Sequence, residues 1–154
     1  MKRSIHRLLL LAWRTLPIPL IVRRLYLRLV AGSFLVGALA VIKDKEGRVL
    51  LVRRTYNADC PWALPGGWVQ QNESPAEAVA REVEEETGVR VRVGAVLAVC
   101  RGPFAELVVG YRCEIGADRP VVASVEIAEA RYFPPSSLPP LDPLYRDILE
   151  QDSE

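Results

Sequence analysis

The first 32 residues carry apolar side chains at the spacing of an amphipathic helix. Over residues 4–16 the apolar positions follow the i, i+3, i+4, i+7 pattern, which places on one helix face Ile5, Leu8, Leu9, Ala12, Trp13 and Leu16. Pro17 and Pro19 end this helix, because proline cannot continue a helix interior. The pattern predicts a second helical stretch over residues 20–30.

From residue 33 the apolar residues gather in short runs that are separated by turn residues. Runs at residues 34–42 and 49–53 predict two strands, and runs at 89–100 and 107–115 predict two more. A further strand is expected within 121–133. These strands, with helices between and after them, indicate an α/β domain over residues 33–154 built in layers.

Two helices are predicted within this α/β domain. Ser74 is a good N-cap, Pro75 suits the first helical position, Glu77 completes a capping box, and Gly88 ends the helix. Residues 144–150 are expected to form a short closing helix after a proline-rich loop.

The helix that follows Ser74 carries three carboxylates on one face. Glu85 and Glu86 lie three and four positions after Glu82, and the adjoining face is apolar, with Ala76, Val79, Ala80 and Val83. Like charges at this spacing destabilise a helix, and oxygen-rich clusters suit hard cations such as Mg²⁺ or Mn²⁺. The helix alone leaves two interpretations open, a metal site and a solvated acidic face.

Charge is distributed unevenly along the 154 residues. Seven of the 20 basic residues and none of the 19 acidic residues lie in residues 1–32, so the remainder has 13 basic and 19 acidic residues, a net charge of −6. This basic arm is expected to pack on its own domain or on a second subunit in a homodimer, which is the interpretation we favour. Peripheral contact with an anionic membrane is the second possibility, and nucleic acid is the partner we least expect.

The cysteines and the apolar runs indicate the cellular compartment in which the protein is expected. Cys60, Cys100 and Cys113 lie far apart and show no CxxC spacing, which predicts neither a disulfide framework nor a zinc site and favours the cytoplasm. The apolar runs near the N-terminus are interrupted before they reach the ~20 residues that span a bilayer. We therefore expect no transmembrane helix.

Residues 67–89 carry the most specific motif. They match G-x5-E-x7-R-E-U-x-E-E-x-G-U at every defined position, where U is an apolar residue. This motif resembles the signature of the MutT-like Nudix hydrolases, and the resemblance extends over residues 33–150. It implies an α/β/α sandwich around a mixed β-sheet, with the basic arm as an N-terminal helical extension.

The resemblance also implies roles for the residues of the motif. Glu82, Glu85 and Glu86 would bind catalytic Mg²⁺ or Mn²⁺, joined by the backbone carbonyl of Gly67, and Arg81 would orient the carboxylates by an ion pair. The remaining roles are supporting ones: Glu73 would support the helix, and three glycines would allow backbone angles closed to other residues, namely Gly66, Gly67 and Gly88.

The reaction that the resemblance implies is hydrolysis of a diphosphate linkage in a nucleotide-type substrate, either a nucleoside triphosphate or a compound linked to a nucleoside diphosphate. Water would attack phosphorus while the metal neutralises charge. The proton would pass to Glu85 or Glu86, or to a carboxylate outside the motif, for which Glu126 and Glu129 are the candidates.

The sequence contains few residues that indicate which substrate is bound. Arg53 and Arg54 are candidates for phosphate binding, and the alternative is that they are solvated strand ends. Three aromatic residues are candidates for base stacking or for ordinary packing: Tyr56, Trp68 and Phe104. The proline and tyrosine patterns of the branches that cleave ADP-ribose and dinucleoside polyphosphates are absent around Ala105.

Two further classes share the fold. A Nudix-fold binding or regulatory module remains an alternative, although the complete set of glutamates argues against it. A prenyl diphosphate isomerase is the other alternative, because that enzyme carries a catalytic cysteine and Cys60 stands before the motif.

Overall fold

The computed structural model describes residues 35–102, 107–116, 120, 122 and 124–152. The predicted arm over residues 1–32 lies outside this part of the chain, and so does Phe104. No helix in the described residues is long and apolar enough to cross a membrane. The three cysteines are free thiols, and the cytoplasmic location stays a prediction.

A mixed four-stranded sheet forms the centre of the domain. Its strand order is β4-β1-β6-β5, where the bounds are β1 (Val36–Ile42), β4 (Gly66–Trp68), β5 (Val91–Arg101) and β6 (Leu107–Ile115). The pair β1–β6 is parallel, whereas β1–β4 and β5–β6 are antiparallel. The predicted mixed sheet is therefore confirmed, and β6 has the predicted bounds.

A second, antiparallel sheet has the strand order β3-β2-β7. It comprises β2 (Val49–Arg54), β3 (Trp62–Ala63) and β7 (Ile127–Phe133). The sequence did not predict the division into two sheets. Strands β3 and β4 were also missed, because runs of two and three residues are too short to show a period of two.

The two predicted helices of the domain are present. Helix α1 (Pro75–Thr87) follows β4, and helix α2 (Pro143–Gln151) ends the described chain, while a single 3₁₀ turn (Pro135–Ser137) lies in the proline-rich loop. Gly110 in β6 lies directly under α2, since a Cβ there would approach Ile148 Cγ2 to 2.7 Å.

The core has two main parts, one on each face of β1. Ala38, Ala40 and Ile42 pack in a cluster that includes Val79 and Val83 of α1. Leu39 and Val41 point to the other side and pack in a cluster with Leu149 of α2. Strand β1 is thus apolar throughout because both of its faces are covered, as in other parallel arrangements. This is the α/β/α sandwich that the resemblance implies.

The apolar face of α1 differs slightly from the predicted one. Ala78, Val79, Val83 and Thr87 are buried, whereas Ala80 is only partly buried. The Thr87 hydroxyl donates to the Val83 carbonyl oxygen at 2.6 Å, which gives this buried polar group a partner. The carboxylates therefore lie beside a face that is firmly anchored on the central sheet.

Candidate active site

Helix α1 is fixed at both ends by local interactions. The Ser74 side chain accepts from the Glu77 backbone N–H, and the Glu77 carboxylate accepts from the Ser74 N–H at 2.7 Å, which completes the predicted capping box. Gly88 ends the helix in the left-handed region at φ 68°, where glycine is favoured. Both ends of the helix are confirmed as predicted.

Arg81 connects the acidic residues along this helix. Its Nε and Nη2 donate to the Glu73 carboxylate at 3.1 and 2.8 Å, and Nη2 also donates to the Trp68 carbonyl oxygen at 3.0 Å. Its Nη1 contacts Glu82 Oε1 at 2.7 Å and Glu85 Oε2 at 3.2 Å. Hydrogen bonding to Arg81 lowers the pKa of Glu73, so this carboxylate stays ionised.

The two glycines of β4 have different requirements. Gly66 has a φ of 137°, a conformation that side chains rarely adopt. Gly67 does not have a positive φ, so the expectation that it serves backbone freedom is wrong. A Cβ at Gly67 would instead lie 2.5 Å from Glu82 Cδ, so a side chain there would displace the Glu82 carboxylate. The Glu82 carboxylate therefore rests directly against the backbone of β4.

Glu86 is one of the three clustered carboxylates, and its pKa is shifted by burial. Its Oε2 accepts from the Gly66 N–H at 3.0 Å. Burial raises the pKa of Glu86 from 4.5 to about 7, because loss of water outweighs the Gly66 hydrogen bond and the nearby charge of Arg54. The charges of Glu82 and Glu126 raise it further. A nearby cation would therefore stabilise the ionised form of Glu86.

A cavity of about 730 Å³ collects these groups. We call the lining residues that come from β4 and α1 the α1 wall, and it includes Gly66, Gly67, Glu82, Glu85 and Glu86. We call the lining residues that come from the end of β2, the turn before β7 and the start of α2 the α2 wall, and it includes Arg54, Tyr56, Ser124, Glu126 and Tyr145.

The structure separates the substrate-binding candidates into two groups. Trp68, Arg54 and Glu126 line the cavity. Arg53 and Glu129 are not among the residues that line it, and they form an ion pair with each other, with Arg53 Nε 3.4 Å from a Glu129 carboxylate oxygen.

Tyr145 is a residue of the site that the sequence did not indicate. Arg54 Nη1 donates to its hydroxyl oxygen at 3.2 Å, although the two residues are 91 positions apart. Tyr145 packs against a small apolar cluster of Val52, Ala63 and Ile127. The helix that carries it was predicted, but no local pattern marks which of its residues faces the cavity.

The α1 wall has the chemistry of a site for a hard divalent cation. Within the described residues, no three acidic, histidine or cysteine side chains are already arranged as a ligand set. The Arg81 guanidinium instead bridges Glu82 and Glu85 as an internal cation. Three carboxylates on one wall, one of them with a raised pKa, and a glycine backbone in contact with Glu82 fit an oxygen-ligated cation.

Comparison with a family model gives a match over most of the chain. The model of the NUDIX domain matches residues 33–151. This match includes the whole α1 wall and the part of the α2 wall that is described above.

Individual proteins with similar sequences and structures agree with the family match. The chain is 39% identical over 80 residues to a MutT-like protein from Streptomyces ambofaciens, covering 51% of each chain. It is 35% identical over 108 residues to an ADP-ribose pyrophosphatase from Methanocaldococcus jannaschii, covering 65% of this chain and 62% of that protein.

Among solved structures, a MutT NUDIX hydrolase from Burkholderia pseudomallei superposes with a TM-score of 0.66 at 31% identity, covering 78% of this chain and 98% of that one. The chain spans about half the length of the curated relatives that it matches first.

Proposed function

The chain belongs to the NUDIX domain family, and from that premise we propose that it hydrolyses a diphosphate linkage in a nucleotide-type substrate with the help of a divalent metal. The observation that carries the proposal is the α1 wall, where Glu82, Glu85 and Glu86 meet Gly67 in one cavity. Neither the regulatory module nor the prenyl diphosphate isomerase has a specific observation in its favour.

We propose Mg²⁺ or Mn²⁺ as the cofactor. Glu82, Glu85, Glu86 and the Gly67 carbonyl oxygen would hold it. A bound divalent cation would polarise the attacking water and neutralise charge on the bridging and leaving oxygens. The raised pKa of Glu86 supports this assignment, because a buried carboxylate among other acids gains most from a nearby cation.

The protein's own side chains position the carboxylates and accept the proton of the attacking water. Arg81 holds Glu82 and Glu85 in register and is itself anchored by Glu73, so it limits the conformations that the carboxylates adopt. A carboxylate accepts the proton of the attacking water. Among the candidates outside the motif we choose Glu126 over Glu129, because Glu126 lines the cavity and contributes to the raised pKa of Glu86.

The substrate would lie with its diphosphate in the cavity. The similarity to an ADP-ribose pyrophosphatase supports a nucleoside diphosphate-linked substrate as one class to test. Trp68 and Tyr56 are 48% and 66% exposed, and these aromatic surfaces are available for a nucleobase.

A substrate panel tests the proposal. It contains nucleoside di- and triphosphates, ADP-ribose, nucleotide sugars, dinucleoside polyphosphates and prenyl diphosphates, each with Mg²⁺ or Mn²⁺ and again with EDTA. We expect turnover of at least one nucleotide-type compound, loss of turnover with EDTA, and recovery when the metal is restored. Turnover that persists after complete chelation would refute the metal assignment, and the absence of turnover on every compound would refute the activity.

A further inference from the structure

Arg54 is a largely buried cation that lacks a matching anion among the described residues. It stands at the end of β2 and lines the cavity. Its guanidinium makes one hydrogen bond in the described chain, from Nη1 to the Tyr145 hydroxyl oxygen at 3.2 Å, and its Nε is buried without a hydrogen-bond partner. The uncharged ring of Tyr56 is its other contact, with the guanidinium carbon 5.9 Å from the ring centroid. A guanidinium has five N–H donors, so most of its donors have no acceptor among the described residues.

Unpaired buried charge is costly, and such a group normally has an ionic or hydrogen-bonded partner. The neighbouring arginine shows the usual solution, because Arg53 is paired with Glu129. The charge of Glu86 raises the pKa of Arg54, but the two side chains are not in contact as an ion pair. The Glu86 carboxylate accepts its hydrogen bond from Gly66 instead. Arg54 can therefore donate hydrogen bonds to an anionic group that comes from outside the described residues.

Tyr145 gives this cation a fixed partner without neutralising it. The phenol oxygen accepts from Arg54, which leaves its own hydroxyl hydrogen without an acceptor among the described residues. Burial raises the pKa of Tyr145, so the hydroxyl keeps that hydrogen at neutral pH. The pair thus presents hydrogen-bond donors from two side chains to the same cavity and offers one shared positive charge.

We propose that Arg54 and Tyr145 together bind a phosphoryl group of the substrate on the α2 wall of the cavity. This inference rests on the proposed function and deepens it, because it implies a substrate with two anionic groups. One phosphoryl group would be held at the α1 wall through the proposed divalent cation, and the other by the Arg54–Tyr145 pair. Charge-assisted hydrogen bonds from an arginine suit phosphate oxygens in both charge and geometry.

The test is calorimetric titration of the full-length protein, in Mg²⁺, with methylenediphosphonate, a diphosphate analogue whose bridge resists hydrolysis. Arg54→Gln is expected to weaken binding by about 10- to 100-fold, the range for hydrogen bonds to charged groups. Tyr145→Phe, which removes only the hydroxyl, is expected to weaken it by about 3- to 10-fold. Arg53→Gln removes the same charge one residue away and is expected to change affinity by less than about 2-fold.

A double-mutant cycle distinguishes a binding pair from two structural residues. The Tyr145→Phe change should have a smaller effect in the Arg54→Gln background than in the wild type, because the two groups act on one anion. Fully additive effects would overturn the pairing. Wild-type affinity in Arg54→Gln, or an equal loss in Arg53→Gln, would overturn the assignment of Arg54.

Two further measurements keep the test decisive. Arg54→Lys retains the charge, so it should fold even if the glutamine variant does not, and an intermediate affinity is expected because lysine lacks the planar fork. If Arg54 served only to keep Glu86 charged, its variants would shift the pH profile of turnover and bind the analogue as the wild type does, which contradicts our proposal.

Binding of the analogue requires no turnover, so the two proposals fail separately. Absence of hydrolysis in the substrate panel, together with the expected losses of analogue affinity, would refute only the proposed activity. Hydrolysis in the panel, together with unchanged analogue affinity in Arg54→Gln, would refute only this inference.

Discussion

The α1 wall and the α2 wall of the cavity differ in how their charges are partnered. On the α1 wall, Arg81 bridges Glu73, Glu82 and Glu85, and Glu86 accepts from the backbone of β4. On the α2 wall, Arg54 has one hydrogen-bond partner among the described residues, the neutral Tyr145, and its guanidinium lies over the Tyr56 ring. The α1 wall comes from residues that lie close together in the chain, whereas the α2 wall comes from three distant segments.

The charged groups of the α1 wall are thus mostly paired within the folded protein, whereas Arg54 on the α2 wall has no ionic partner among the described residues. The α1 wall has an excess of acidic groups around one internal cation, and the α2 wall has a buried cation with unused donors. A cation bound at the α1 wall and an anion bound at the α2 wall would neutralise the unpaired charge on each. A metal–diphosphate complex carries both charges, and for that reason the comparison supports the proposed substrate class.

The largest effect is expected from the α1 wall itself. Glu85→Gln should lower turnover by about 10²- to 10⁴-fold, because a carboxylate placed for metal or proton transfer loses its charge. The side chain is 57% exposed, so the fold should tolerate the change. Glu84→Gln is the matched control, since Glu84 pairs with Arg90 and is not among the cavity-lining residues.

Steady-state kinetics on the substrate found in the panel measure this prediction. Turnover of Glu85→Gln within a few-fold of the wild type would remove Glu85 from the site. A loss in Glu84→Gln as large as that in Glu85→Gln would mean that the negative charge of the helix matters rather than its placement.

A smaller loss is expected when the contact between the helix and β4 is disturbed. Gly67→Ala places a methyl group against the Glu82 carboxylate and displaces it. Misplacement of a functional group by about 1 Å can cost about 10²-fold in rate. Gly116→Ala is the control, because nothing lies within 4 Å of the added Cβ there. Kinetics that are the same for Gly67→Ala and the wild type would show that the position of Glu82 is unimportant.

The buried carboxylate predicts a pH dependence of stability in the metal-free protein. The pKa of Glu86 is about 7 in the folded chain and near 4.5 in the unfolded chain, so the folded state favours the protonated form. Its contribution is complete below about pH 4.5 and is lost as the pH rises through 7. The loss is on the order of 3 kcal/mol, since the two pKa values differ by about 2.5 and one pKa unit corresponds to about 1.4 kcal/mol.

Urea unfolding in EDTA between pH 5 and pH 8 measures this dependence. Glu86→Gln should flatten it and should be more stable than the wild type at pH 8, while Glu84→Gln should follow the wild type. A wild-type slope that persists in Glu86→Gln would assign the titration to another group.

The smallest effect concerns the cap of α1. Ser74→Ala removes the hydrogen bond to the Glu77 N–H and should lower the free energy of unfolding by about 1 kcal/mol. Ser137→Ala, in the exposed 3₁₀ turn, should change it by less than about 0.5 kcal/mol. Equal unfolding midpoints for Ser74→Ala and the wild type would show that the cap does not stabilise the helix that carries the carboxylates.

The sequence predicts the α1 wall well because its signals are local. The capping box, the end at Gly88 and the shared face of Glu82 and Glu85 all follow from the geometry of one helix. The burial of Glu86 could not be predicted in the same way. It depends on the position of the Gly66 N–H, which lies 20 residues earlier in the chain.

The α2 wall was mostly beyond sequence analysis. Adjacent strand residues point to opposite faces, but the sequence does not say which of Arg53 and Arg54 faces the cavity, and the pairing of β2 with β7 is irregular between them. Tyr145 reaches Arg54 only because α2 packs back against the sheets. Contacts over such separations have no local pattern.

Hydrolysis in ¹⁸O-labelled water tests the central claim most directly. With the wild-type protein, Mg²⁺ and the substrate found in the panel, the products are separated and the position of the label is found by mass spectrometry. Attack of water on phosphorus predicts ¹⁸O in a phosphate-bearing product, and only while the metal is present. Label found only in a sugar or a base would contradict cleavage at a diphosphate linkage.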